Sequence, residues 1–473
     1  MIPFELGELV ALTGGELLGV DPGTVVDGPV VADSRRVAAG SLFVCVRGDH
    51  SDGHDFAAAA LAAGAVAVLA ARPVGAPAMV VADPVEAVGR IAAEALRRTP
   101  GCSVTGITGS AGKTSTKDLI GRILTSVRPT VYPEASFNNE LGLPLTVLRI
   151  GAETTDLVLE YSARGIGHIR YLCGVAQPSV AVVLNVGNAH LGEFGSPDAV
   201  ATAKGELVEA LDSDGTAVLN ADDARVAAMR TRTAGEVICF GTDPSADVVI
   251  ERVTLDGLAR PWLRLATPWG TTELQLRLHG AHHASNAAAA ATTALVRGVP
   301  LDAVTQTLEA AGADSAHRMA LHQRSDGLLV VDDAYNANPE SMRAAVDALR
   351  RLGEGRAGRK WAVLGQMLEL GEESEPLHES VGRYAAESGV DDIVAVGDAA
   401  APILRGARQV AGWRGRDHEV ADIADAVRLL RSAAGPQDVV LVKASMRNRL
   451  WQVAEQLLDD ESQRPSETQG ASA

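Results

Sequence analysis

The run Ser103-Val-Thr-Gly-Ile-Thr-Gly109-Ser110-Ala111-Gly112-Lys113-Thr114-Ser115 sets a β-rich stretch directly before a glycine loop and an amphipathic stretch, Thr114–Leu124. Residues of these types in this order can hold the phosphates of a nucleotide. Glycines let backbone N–H groups turn toward the oxygens, and a helix N-terminus adds the positive end of its dipole. Lys113 can reach the β and γ oxygens, and Thr114 can hold Mg²⁺. The strict pattern G-x-x-x-x-G-K-[ST] fails, because Ile107 stands five positions before Gly112. The alternative is a glycine turn that only happens to precede Lys-Thr. Strand, loop and helix together favour a shortened phosphate loop, Gly109–Ser115.

Such a loop needs a sheet behind it. Short β-branched runs alternate with Ala-rich stretches at Ser179–Asn185, Glu236–Phe240, Leu328–Asp332, Trp361–Leu364, Asp392–Val396 and Val439–Val442. That alternation predicts α/β domains with parallel sheets. The length of 473 residues suggests roughly three domains at about 150 residues each. A first block, 1–99, ends in a predicted helix Pro84–Arg98, closed by Thr99-Pro100-Gly101. A second, 100–313, holds the loop, and a third spans 314–459. Residues 460–473 are polar and read as a disordered tail.

Composition excludes several functions. A net charge of −18 argues against binding by wholesale neutralisation of nucleic-acid phosphates, and 3% aromatics leaves few platforms for stacking bases. The uncharged run Phe56–Ala71 is too short to cross a bilayer and predicts a packed helix, Asp55–Ala63, entering a buried strand, Ala65–Leu69. The N-terminus carries Glu5 and Glu8 without a basic region, so no signal peptide is expected and the chain is expected to be cytoplasmic. Four scattered cysteines disfavour a zinc site or a disulfide framework.

The loop in the form T-G-S-x-G-K-T resembles that of the Mur ligases and the related folylpolyglutamate synthetases, ATP-dependent enzymes that join a carboxylate to an amine. Phe137-Asn138-Asn139-Glu140-Leu-Gly142-Leu-Pro144, Asn185–Ser196, Ala203–Leu207, His282–Asn286, His317-Arg318-Met319, Asp332–Met342 and Met367–Gly371 are similar to further motifs of the Mur family, in order. The resemblance runs from about Asp33 to Ala454. It implies a three-domain α/β fold: a smaller N-terminal α/β domain, a central phosphate-loop NTPase-like parallel sheet, and a C-terminal Rossmann-like domain. It also implies ATP and two Mg²⁺ ions. Thr114 and Glu160 would serve the first ion, and His190 with a carbamylated Lys204 (N6-carboxylysine) the second. Lys113, His190 and Lys204 would be the catalytic residues. Asn286 would contact adenine, Arg318 the phosphates and Asp333 the ribose.

Taken singly, each of these has an ordinary reading. Glu160 ends the run Asp156–Glu160, the correct end for a ligand site in an open parallel sheet, yet strand-end carboxylates are common. His190 could be a hydrogen-bonded loop histidine, Lys204 a solvated helix lysine and Arg318 a domain-junction ion pair. Carbamylation needs a neutral amine, so it presupposes a depressed pKa at Lys204.

The string Asp33-Ser34-Arg35, then Arg47-Gly48-Asp49 and Asp52-Gly53-His54, is similar to the uridine-diphosphate-binding domain of two branches of the family, which folylpolyglutamate synthetases lack. The sibling that adds a diamino acid carries Asp-Asn-Pro-Arg, where this chain reads Tyr335-Asn336-Ala-Asn338-Pro339. The resemblance therefore implies a UDP-muramoyl tripeptide and a D-Ala-D-Ala-like dipeptide as substrates. Ser34, Arg35, Gly48, Asp52, His54, Asn138, Asn139, Tyr335, Asn336 and Asn338 would touch them, in a monomer with no nucleic-acid partner and no membrane insertion. Three positions depart from the family pattern: Tyr161-Ser162 for Met-Gly, Gln366 for an acid, and Met446 for Arg. They keep open a relative using a variant dipeptide or depsipeptide. A non-catalytic ATP-binding descendant is the alternative outside the enzymes.

Overall fold

The computed structural model describes residues 1–48, 51–133, 135–187, 194–312 and 315–459. His190 and the expected tail 460–473 lie outside the described residues, as do Asp49, Ala313 and Asp314.

Three sheets follow one another along the chain, and each anchors a domain. The N-terminal sheet runs Glu16–Leu18, Ala78–Val80, Ala65–Ala70, Ser41–Val44, Val30–Val31, all parallel except the first strand. The apolar run divides as its residues dictate. Ala57–Ala62 is a short helix, Gly64 turns with φ +112°, and Ala65–Ala70 is a buried strand. Helix Pro84–Arg97 closes the domain, with Pro84 in its first turn and Asp83 accepting from the N–H groups of Val85 and Glu86 at 2.8 and 3.2 Å.

The central sheet has the order Gly270–Gln275, Pro261–Thr267, Val248–Leu255, Glu236–Gly241, Thr216–Asn220, Val180–Val183, Ser103–Thr108, Asp156–Glu160, Thr130–Val131. It is parallel from Thr130–Val131 through Val248–Leu255. The expected parallel sheet is present, and Val248–Leu255, Pro261–Thr267 and Gly270–Gln275 add an antiparallel extension to it. One face of this extension is exposed and carries the pairs Arg264–Glu251 and Arg264–Glu273, so it needs no helices on both sides. The strand Ser103–Thr108 lies between Asp156–Glu160 and Val180–Val183, which places a topological switch point at its carboxyl end. Ile107 is a wholly buried residue of this strand, so the loop begins two residues later, and this accounts for the shortened motif. The alanine-rich helix His283–Val296 buries Ala287–Ala291 and packs closely on the loop's helix, Lys113–Thr125.

The C-terminal sheet runs Ala320–Gln323, Leu329–Asp332, Val439–Lys443, Lys360–Leu364, Asp392–Val396, Arg416–Val420, parallel but for its first strand. No helix among the described residues is long and apolar enough to cross a membrane.

Candidate functional site

The loop Gly109–Gly112 delivers Lys113 as the first residue of its helix. Gly112 sits at φ +83°, and a Cβ there would lie 2.6 Å from Oδ1 of Asn286, so glycine is required both by conformation and by the closeness of the neighbouring helix. Asn185, just past the strand Val180–Val183, props the loop: its Oδ1 accepts from Ala111 N–H at 2.9 Å and its Nδ2 donates to Ala111 O at 3.1 Å. Ser110 Oγ accepts from Gly187 N–H at 2.9 Å. Lys113 Nζ donates to Gly109 O at 2.6 Å, and burial lowers its pKa against the opposing pull of Glu160. Ser115, in the first turn of the helix, lines the same cleft.

That cleft encloses about 910 Å³ where the central and C-terminal domains meet. Thr114 is buried, with Oγ1 2.8 Å from Ser136 Oγ. Glu160 is 0% exposed; its Oε2 accepts from Asn138 Nδ2 at 3.3 Å, while Oε1 has no hydrogen-bond partner among the described residues. A buried carboxylate oxygen left bare costs free energy unless a cation or donor meets it. A carboxylate beside hydroxyls in one cleft is the oxygen-rich donor set that suits Mg²⁺. No cluster of three or more His, Cys, Asp or Glu occurs among the described residues. Lys204 is 6% exposed in helix Pro197–Glu209, and burial, reinforced by the charge of Lys113, holds its pKa well below that of a free lysine. A depressed pKa is what carbamylation presupposes.

The C-terminal domain supplies the opposite wall. Arg318 Nη2 donates to Thr114 Oγ1 at 2.9 Å and to Ser136 Oγ at 3.2 Å, and its guanidinium lies 4.2 Å from the ring centroid of Tyr335. His317 and Met319, on either side, both adopt left-handed backbone, at φ +60° and +50°. They are held there by contacts from the next strand end: His317 Nδ1 with Asp332 Oδ2 at 2.6 Å, and Met319 N–H to Asp333 Oδ1 at 3.1 Å. Asp333 Oδ2 accepts from Lys443 Nζ at 2.6 Å, and Lys443 also donates to Asn336 O at 2.9 Å. Asn338 caps helix Pro339–Gly353 and reaches Ser110 O at 3.3 Å.

The structure thus brings together Gly112–Ser115, Asn138, Glu160, Asn286, Arg318, Asp333, Tyr335, Asn336 and Asn338 around one cleft. Asn139 is there too, but its Oδ1 accepts from Gly142 N–H at 2.8 Å, at the start of helix Gly142–Val147. Ser34, Arg35, Gly48, Asp52 and His54 do not line it. The side chain of Arg35 is paired with Asp33, whose pKa that contact lowers to about 2. Asp52 binds His54 Nδ1 at 2.5 Å and Arg72 at 3.0 Å, and His54 Nε2 accepts from Ala71 N–H. Sequence reasoning did not single out the supports Ser136 and Asn185, or Lys443 as the partner of Asp333, although Asn185 opens one of the motifs that resemble the Mur family. Of the departures, Tyr161 points away from the cleft: it is wholly buried, its hydroxyl donates to Ala176 O, and its ring fills the space beside Gly106. Met446 is half exposed and lines the cleft, and Gln366 O accepts from Ser445 N–H.

Family profiles match along the chain: "Mur ligase family, catalytic domain" at residues 29–98, "Mur ligase middle domain" at 107–294 and "Mur ligase, glutamate ligase domain" at 317–446. The UDP-N-acetylmuramoyl-tripeptide–D-alanyl-D-alanine ligase of Mycobacterium leprae is 43% identical over 98% of this chain and 100% of its own length. Among solved structures, the UDP-N-acetylmuramoylalanyl-D-glutamyl-2,6-diaminopimelate–D-alanyl-D-alanyl ligase of Acinetobacter baumannii superposes with a TM-score of 0.82 at 31% identity, covering 97% of this chain and 99% of that one. MurF ligase of Thermotoga maritima in complex with ADP gives 0.77 at 29% identity, with 91% and 97% covered.

Proposed function

The chain belongs to the Mur ligase family, and from that premise we propose that it joins D-Ala-D-Ala to the terminal carboxylate of a UDP-N-acetylmuramoyl tripeptide, with ATP as the energy source, in the synthesis of peptidoglycan precursors. The observation that carries this reading is the cleft itself: Arg318 of the C-terminal domain reaches Thr114 of the phosphate loop, with the bare Oε1 of Glu160 in the same cavity. A carboxylate does not react with an amine unaided. ATP activates it by transferring the γ-phosphoryl group to a carboxylate oxygen, which gives an acyl phosphate. The dipeptide amine then attacks the acyl carbon, the C–O bond to phosphate breaks, and inorganic phosphate and an amide result.

The transferred group carries concentrated negative charge, so catalysis is mainly positioning and electrostatic stabilisation. Lys113 and Arg318 present fixed positive charge to the β and γ oxygens, and the loop N–H groups cradle them. Thr114 and Glu160 would hold one Mg²⁺, and His190 with the carbamate of Lys204 a second. When bound, these ions supply positive charge to the phosphates. We assign 1–99 to the UDP-bearing end of the donor, 100–313 to ATP, and 314–459 to the dipeptide and to closure over the site, which keeps water from the acyl phosphate. The enzyme acts in the cytoplasm as a monomer. Incubation of the protein with ATP and a panel of donor tripeptides and acceptor dipeptides, with products read by mass spectrometry, tests the reading. The D-Ala-D-Ala adduct should dominate; ATP binding without any adduct would refute it.

The lining residue Met446 supports a second reading, in which the acceptor is a variant dipeptide or depsipeptide. The same panel separates the two.

A further inference from the structure

Five Lys and Arg side chains line the cleft. Lys113 is bonded to Gly109 O, Arg225 to Asp198, Arg318 to Thr114 and Ser136, and Lys443 to Asp333. The fifth, Arg164, is exposed, and its guanidinium has no polar partner among the described residues. In a chain of net charge −18, a cation left unpaired beside a binding cleft is available to an anion.

Its mounting is rigid. Arg164 lies in the turn between strand Asp156–Glu160 and helix His168–Val175. Ser162 N–H donates to Asn138 O at 3.1 Å at one end of that turn. At the other, Gly167 stands at φ +95°, and the buried carboxylate of Glu206 accepts from Gly167 N–H at 2.6 Å and from Arg170 N–H at 3.0 Å. The same helix carries Tyr171, whose hydroxyl lies against Gly89 of the N-terminal domain's helix Pro84–Arg97. The turn is therefore the part of the cleft wall that lies toward the N-terminal domain. A donor held by its UDP on that domain, with its reacting carboxylate at the phosphate loop, passes this wall.

We propose that Arg164 binds a non-reacting carboxylate of the donor peptide and so selects an acidic peptide. This inference rests on the ligase reading above. A glutamyl residue within a peptide keeps one free carboxylate whichever of its two carboxyls is in the chain, so a donor containing glutamate offers the anion required. A guanidinium facing it gives bidentate recognition that an amide at the same position cannot reproduce.

The test compares the wild type, Arg164→Ala and Arg164→Lys on two donors, the free acid and its analogue amidated at that glutamyl carboxylate. KM values for donor and for ATP are measured separately. For Arg164→Ala, donor KM should rise by about tenfold or more while ATP KM stays unchanged, and Arg164→Lys should recover part of the loss. Amidation should weaken the wild type by a similar factor and hardly affect Arg164→Ala. Equal donor KM values in wild type and Arg164→Ala, or an amidation penalty that survives the substitution, would overturn the proposal with the ligase reading intact. A wild type that turns over neither donor would overturn both.

Discussion

The polar turns around Asp33 and Asp52 in the N-terminal domain and the cleft at the phosphate loop both gather polar side chains, yet they treat them in opposite ways. In the first, Asp33 is closed by Arg35, and Asp52 by His54 and Arg72, so the candidate binding groups satisfy one another. In the second, Glu160 Oε1 and Arg318 Nε are buried without hydrogen-bond partners among the described residues. Buried polar groups are normally paired, so atoms left bare mark where ligand oxygens and cations are to be met. The difference separates polar residues that shape a surface loop from those held ready for chemistry.

If that contrast is right, substitutions in the cleft should cost turnover rather than folding, and those in the turns the reverse. Lys113→Ala should show the largest effect, a fall in ATP-dependent phosphate release of about 10²–10³-fold with an unchanged melting temperature. Glu160→Gln keeps the shape and removes the charge. It should lower turnover by roughly 10²-fold and raise the Mg²⁺ concentration for half-maximal ADP binding, which nucleotide fluorescence can follow.

His283, packed 4.2 Å from His282 and 4% exposed, is held neutral by burial, its pKa well below 6.5. Below pH 6.5 the unfolded chain takes up a proton that the folded one refuses, so this residue lowers stability as pH falls from 6.5 toward the depressed value. The slope is about 1.4 kcal/mol per pH unit. Urea midpoints at pH 5.5 and 7.5 should draw together in His283→Gln. The smallest effect is expected from Asp52→Asn. Melting temperature should drop and donor KM rise severalfold through the loosened loop, while ATP KM stays where it was. A large change in ATP KM there would break the contrast.

Much of this was legible in the residues. Asp156–Glu160 forms a strand with the predicted ends because a buried parallel strand reads as an apolar run bounded by polar residues, and Ser103–Thr108 does so as the β-rich stretch that precedes a phosphate loop. The antiparallel extension Val248–Gln275 was not legible: its exposed face alternates Glu251, Arg264 and Glu273 with buried Ile250, Leu263 and Leu274, and no single apolar run announces it. The phosphate loop was legible as a motif, but its supports were not. Ser136 and Asn185 act through contacts between distant segments that spacing does not encode. Asp333 was read as a residue for ribose, and its tie to Lys443, 110 residues away, appears only once the two strands pair in one sheet. Tyr161 stood out as a departure at the site; in the fold it belongs to the core beside Gly106, because alternate strand positions face opposite sides.

The acyl phosphate is the centre of the account, and isotope transfer tests it most directly. Donor tripeptide labelled with ¹⁸O in its reacting carboxylate is turned over with ATP and D-Ala-D-Ala, and the released phosphate is analysed by mass. One labelled oxygen should pass into phosphate for each amide formed, with ADP as the other product. Unlabelled phosphate accompanying amide formation, or AMP and pyrophosphate in place of ADP, would contradict it.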